Sequence, residues 1–205
     1  SCNSPKGTGP DGVSYPAGKG PVDGSGLWSN VLGCDADGGG YVGVQVLGFN
    51  ASATGNGATA LGLAATAAIR STAVGMQAGA TAAGSTALGQ WARATAAGSV
   101  AIGGNTSSNT AAAGAQASGL SAVAIAGESR ALGQDSVALG TRAEARTAQG
   151  IALGAGAVAV HSGGVALGAG SVTEAAIATA GATIAGVSYA YAGASPSSTV
   201  SVGGS

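Results

Sequence analysis

STAVGMQAGATAAG at 71–84 runs without a gap into STALGQWARATAAG at 85–98, so the chain carries a tandem unit of 14 residues. The same unit recurs as ATALG from Ala58, SVAIG from Ser99, AVAIA from Ala122, SVALG from Ser136, GIALG from Gly150 and GVALG from Gly164. Its apolar fourth position falls on Leu47, Leu61, Val74, Leu88, Ile102, Ile125, Leu139, Leu153 and Leu167. Between Ile102 and Ile125 the register slips, and TAAAG ending at Gly114 reads as a degenerate copy. A fixed short period means that each repeat is one structural unit buried by stacking on its neighbours.

Seven is half of 14, but a coiled coil is excluded. Glycine recurs at Gly75, Gly84, Gly89, Gly98 and Gly103, each costing about 1 kcal/mol against alanine inside a helix. Strands of four or five residues separated by glycine turns fit instead. In the first half of a repeat, alternation puts Val137 and Leu139 on one face and Ser136, Ala138 and Gly140 on the other. In the second half, Ala92, Ala94 and Ala96 share one face and Arg93 and Thr95 the other. The expected fold is an all-β parallel solenoid with one coil per 14-mer and Val/Leu packed inside against Ala. Its small-residue outer stripe, carrying Ala73, Ala87, Ala101, Ala138, Ala152 and Ala166, is expected to be covered by further copies of the chain. About nine coils at ~4.8 Å each make a rod on the order of 40 Å long.

Composition supports this reading. Among 205 residues there are 40 glycines, 7% charged and 3% aromatic residues, and the 45% hydrophobic share is mostly alanine. A conventional core is not available from such side chains. Seven Lys plus Arg against eight Asp plus Glu give a formal charge of −1. With no basic run to neutralise phosphates, nucleic acid is not an expected partner. No apolar run is long enough to span a bilayer and no export signal opens the sequence, which reads as an excised or processed piece.

Where the rhythm is absent, other roles are expected. Residues 1–43 are a Gly/Pro-rich N-terminal cap, with Trp28 and Leu32 covering the first coil. Its Cys2 and Cys34 are the only cysteines. They read as a disulfide, worth about 3–4 kcal/mol by loop closure and implying an oxidising setting; two free thiols or an intermolecular bridge are the alternatives. Residues 44–186 form the repeats, irregular at 104–121. In 187–205, VSYAY (187–191) and TVSV (199–202) flank AGASPSS and read as a hairpin. Its Tyr189 and Tyr191 suit packing on a neighbour or contact with a ligand.

The residues needed for catalysis do not converge. His161 is the sole histidine and suits a turn or packing role. Asp35 and Asp37 in DADGGG resemble only the start of a calcium loop, without its further oxygen ligands. No enzyme activity, metal or cofactor is expected.

The tandem SVAIG or SVALG followed by AxAxxxG over about 44–186 resembles the YadA-like head of trimeric autotransporter adhesins. The stretch TIAGVSYAYAGASPSSTVSVGG (183–204) is similar to that family's head insert motif, after which the roll resumes at VSVGG. The resemblance implies a left-handed parallel β-roll, homotrimeric, on the surface of a Gram-negative bacterium as the extracellular part of an outer-membrane-anchored protein. It also implies attachment to host extracellular matrix or to cell-surface proteins or glycans, with no direct insertion of this segment into a membrane. Candidate ligand contacts are the varied positions Gln90, Trp91, Arg93, Arg142, Glu144 and Arg146, with Met76, Gln77, Glu128 and Arg130 beside them. Trp91 fits either a ligand or an inter-chain seam. An ice-binding or purely structural solenoid is the alternative, suggested by the threonine files Thr59, Thr72, Thr86 and Thr81, Thr95. A β-helix enzyme acting on carbohydrate would need clustered carboxylates.

Overall fold

The computed structural model describes residues 6–10, 12–22, 27–105 and 114–203. All regular elements among them are strands, and none is a helix able to cross a membrane. The chain winds into a two-sheeted parallel β-solenoid of 14-residue coils. Each coil contributes three residues to an eleven-stranded sheet running from Asn30–Leu32 to Val200–Val202, and most add two to an eight-stranded sheet from Ser52–Ala53 to Val158–Ala159. Register follows the sequence repeat: Val137, Ala138 and Leu139 stand opposite Ile151, Ala152 and Leu153, and Arg130 and Ala131 opposite Glu144 and Ala145. The short step pairs Thr59 with Thr72, and the long one pairs Val100 with Val123. The excess of the long step falls between Gly103 and Gly114, and Ala115 donates to the Gly103 carbonyl at 2.9 Å. Most of the expected degenerate copy TAAAG lies outside the described residues, but Gln116–Ala117 pairs in normal register with Arg93–Ala94.

The interior is alanine from both sheets. Ala92, Ala94, Ala143 and Ala145 of the short strands are fully buried, as are Ala73, Ala87, Ala101, Ala138, Ala152 and Ala166 of the long strands. The long strand therefore faces the opposite way from expectation. Val137 is only half-buried and Leu139 is 45% exposed. Strand parity assigns two faces without saying which is inner, and here the hydroxyl of the first position decides. Ser85, Ser99 and Ser136 are buried, and each Oγ donates to the carbonyl three residues back, at 2.7, 2.6 and 2.6 Å. A buried hydroxyl needs such an acceptor; the turn supplies it on the inner side, and alanine at the third position follows by alternation. The six alanines expected at a seam between copies are instead the core of a single copy.

Two kinds of backbone position make the coils stack. At Gly154, with φ 136°, an added Cβ would lie 2.5 Å from the carbonyl carbon of Gly168 in the next coil, so a side chain there collides with backbone. At Gly156, φ is 67° and nothing lies within 4 Å of an added Cβ; the constraint is conformational alone. The same left-handed turn position is held by Asn50, Ala64, Gln77, Trp91, Glu128 and Arg142, with φ between 53° and 62°. Gly156→Ala is accordingly expected to cost only about 1 kcal/mol, a fall in Tm of a few degrees by thermal circular dichroism.

The ends differ from expectation in detail. Asn30–Leu32 pairs with Gln45–Leu47 as a strand of the roll itself, so the roll starts before residue 44. Trp28 and Leu32, 83% and 65% exposed, do not cover a first coil. At the other end, Val187–Ala190 pairs antiparallel with Gly181–Ile184, not with the TVSV stretch. Ala185 and Gly186 both take positive φ, 50° and 84°, which suits a two-residue hairpin turn of the right-handed twist. Val200–Val202 instead rejoins the large sheet parallel to Val165–Leu167, where the roll was expected to resume.

Candidate functional site

Each coil offers the outside four surfaces: the large-sheet face, the small-sheet face and two turn edges. On the large sheet the outward files are aliphatic. One passes through Val100, Val123, Val137, Ile151 and Val165, the other through Ile102, Ile125, Leu139, Leu153 and Leu167. None of the described residues closes over them: most are half-buried, and Leu47, Leu139 and Leu167 are exposed. Contiguous apolar surface of this extent is a contact surface on ordinary soluble proteins. The threonine file Thr59, Thr72, Thr86 is the first part of this same face and gives way to Val100 in the next coil.

On the small sheet the outward file is chemically mixed. It runs Ser52, Thr66, Gly79, Arg93, Gln116, Arg130, Glu144, Val158. Stacking brings the expected Glu144 and Arg146 together with Arg130. Glu144 accepts from Arg146 at 2.7 Å and pairs with Arg130 one coil away at 3.3 Å. The hydrogen bond and charge of Glu144 raise the Arg146 pKa above its ordinary value. Such surface pairs contribute little stability. Their consequence is geometric, because they join three long side chains from two neighbouring coils into one cluster. Arg93, two register steps from Arg130 in the same file, is exposed.

The turn edge holds the remaining candidates. Arg142 is exposed and pairs with Glu128 of the preceding coil at 3.4 Å. Gln90 and Trp91 are not free surface as expected. The Gln90 carbonyl accepts from Asn105 at 3.2 Å and the Trp91 carbonyl from Gly114 at 3.0 Å, so both turn residues are held by the backbone of their own chain. Trp91 is 7% exposed. It belongs to the packing of its own chain. Met76 and Gln77 are half-buried on the same edge.

The other singled-out residues have local roles. His161 Nδ1 lies 3.1 Å from the Thr173 carbonyl and 3.2 Å from its Oγ1. The Asp35 and Asp37 carboxylates each accept a backbone N–H, from Lys19 and Gly39, both at 2.8 Å. Tyr189 and Tyr191 are exposed on the hairpin. Cys2 lies outside the described residues, and none of the described cysteines is a free thiol. Sequence reasoning missed a recess in which Tyr15, Lys19, Asp35, Phe49 and Asn50 meet; the signal for it was that Phe49 is the only phenylalanine in the chain. The family model for the YadA head domain repeat (2 copies) matches residues 46–65, 80–106, 131–157 and 148–171. No curated protein matches the chain.

Proposed function

Since this chain carries a YadA-like head built of YadA head domain repeats, we propose that it attaches a bacterium to host extracellular matrix or to cell-surface proteins or glycans. Display is on the cell surface, as the extracellular part of an outer-membrane-anchored protein. The head is a left-handed roll and works as a homotrimer, without catalysis. A Cys2–Cys34 disulfide closes a loop within the N-terminal segment, residues 1–43, ahead of the repeats of 44–186, and the hairpin and return strand complete the head.

One observation carries this reading: the roll sets a large-sheet face that is aliphatic from Val100 to Leu167 apart from a small-sheet and turn surface that is varied and charged from Arg93 to Arg146. Val137, Leu139 and their equivalents suit burial between identical copies, which present the same files at the same spacing. Arg93, Arg130, Arg142, Glu144 and Arg146 are left outside, where a ligand contacts an extended patterned surface. The test is binding to a panel of immobilised extracellular-matrix proteins. The wild-type chain is expected to bind at least one, and an Arg93→Ala, Arg146→Ala variant to bind it at least tenfold more weakly. No binding to any member of the panel or to cultured cells would refute the adhesive reading, and undiminished binding of the variant would move the contact to another face.

A further inference from the structure

The N-terminal segment folds back along one turn edge of the roll. Asp35 donates its N–H to the Lys19 carbonyl at 2.9 Å while its carboxylate accepts the Lys19 N–H at 2.8 Å. Tyr15, at the end of the small hairpin strand Ser14–Tyr15, sets its ring edge-to-face against Phe49 with centroids 5.3 Å apart. Gln77 Nε2 lies 3.5 Å from the Tyr15 hydroxyl. Between segment and roll lies a recess of about 420 Å³ lined by Tyr15, Pro16, Ala17, Lys19, Asp35, Phe49 and Asn50. That volume is within the range of small-ligand sites.

The composition of the recess specifies a ligand class. Asp35 and Asn50 occupy the same left-handed turn position in consecutive coils, both at φ 54°, and the Asn50 N–H donates to the Cys34 carbonyl at 2.9 Å. Their side chains therefore stand one coil spacing apart, about 4.8 Å, and form a ledge of oxygen acceptors and an amide donor. Beside the ledge are the Phe49 and Tyr15 rings, packed edge-to-face on each other, and an aromatic face carries negative charge density that attracts polarised C–H groups. The lining holds one cationic residue, Lys19, and one anionic residue, Asp35, and the Asp35 carboxylate already accepts the Lys19 main-chain N–H, so the recess carries no net charge to draw an ionic ligand of either sign. A ligand that matches has a C–H face for the rings, hydroxyls along its rim for Asp35, Asn50 and Lys19, and no charge.

We infer that this recess binds one neutral pyranose unit of a glycan. Phe49 supplies the stacking face, Asp35 and Asn50 fix the hydroxyls, and the folded-back segment from Tyr15 to Lys19 closes the far wall. The site is separate from the Arg93 to Arg146 surface and does not depend on that surface being adhesive.

Two substitutions test it without disturbing the roll. Phe49→Leu removes the aromatic face but keeps apolar bulk, and Leu63 already holds the equivalent turn position one coil on, since Gly48 and Gly62 are stacked. Asn50→Gly removes the amide at a position where positive φ suits glycine. The probes are the methyl glycosides of glucose, galactose, mannose and N-acetylglucosamine, with N-acetylneuraminic acid as the charged comparison, read by saturation-transfer NMR on the full chain. At least one neutral glycoside is expected to receive saturation, and each variant to weaken its binding at least tenfold. The Arg93→Ala, Arg146→Ala variant is expected to bind that glycoside as wild type does, even where it loses matrix binding. Transfer to none of the neutral glycosides, transfer to the charged sugar alone, or transfer undiminished in both variants would overturn the assignment.

Discussion

A chain in which Ala138 is replaced by Glu is expected to lose much of its β-structure at neutral pH, with Tm lowered by about 10–20 °C or more. Ala138 is fully buried between Ala124 and Ala152, which flank it in register, and the inner side chains around it are alanines. A glutamate there has neither room nor partner. Overpacking a tight interior costs about 1–3 kcal/mol, and an unpaired buried charge adds several more, against a total stability of about 5–15 kcal/mol for a typical domain. The pH dependence carries the signature. Burial raises the pKa of the new carboxylate in the folded state above its unfolded value, so the destabilisation is largest at neutral pH and is relieved as the pH falls. Thermal melts of variant and wild type at pH 7 and pH 4.5 measure it as a gap that narrows on acidification. An unchanged melt accompanied by dissociation of the oligomer would return Ala138 to a seam between copies.

The coil itself was legible because its evidence is one-dimensional. A recurrence of 14 residues and an apolar fourth position fix which residues stack on which, and the register of Leu139 on Leu153 follows. The inner placement of Ala92 and Ala94 was legible too, since their strand sets alanine against charge. The sense of the long strand was not, because both of its faces are apolar or small. What settles it is the acceptor awaiting the Ser136 hydroxyl and the close approach of Gly154 to Gly168, neither of which has a sequence period of its own.

The candidate site was legible in its charges and not in its aromatics. Arg130, Glu144 and Arg146 were recognisable as varied outward positions, and stacking turned three separate residues into one cluster. Trp91 was misplaced for a reason that repeat logic cannot supply. A large side chain in a small-residue turn has the same appearance whether it awaits a ligand or a piece of its own chain, and here Gly114 donates to its carbonyl. The hairpin was misassigned similarly: two stretches of strand-forming residues flanked a plausible loop, while the two-residue Ala185–Gly186 turn was hidden by its brevity.

Replacing Leu139 and Leu153 together by Lys is expected to abolish the proposed trimer. The two leucines are neighbours in the outward aliphatic file, so within one chain the lysines would stand in water and add nothing unfavourable beyond ordinary surface effects. Between copies, six ammonium groups would be buried around one axis without partners, at several kcal/mol each. The wild-type chain is expected to sediment as a trimer at micromolar concentration, with a Tm that rises with concentration because association and folding are linked. An alanine interior supplies little burial, so the variant is expected to sediment as a monomer with reduced strand signal. Here the pH dependence has the opposite sign from Ala138→Glu. Burial lowers the lysine pKa in the assembled state, so the defect is full at neutral pH and is relieved as the pH rises towards the ordinary lysine value of about 10.4. Sedimentation at pH 7 and pH 10, with wild type run beside the variant, distinguishes the two substitutions. A variant that remains trimeric at pH 7 would place the seam elsewhere, and a wild-type chain folded as a stable monomer would mean that the aliphatic face is not closed by copies of the chain.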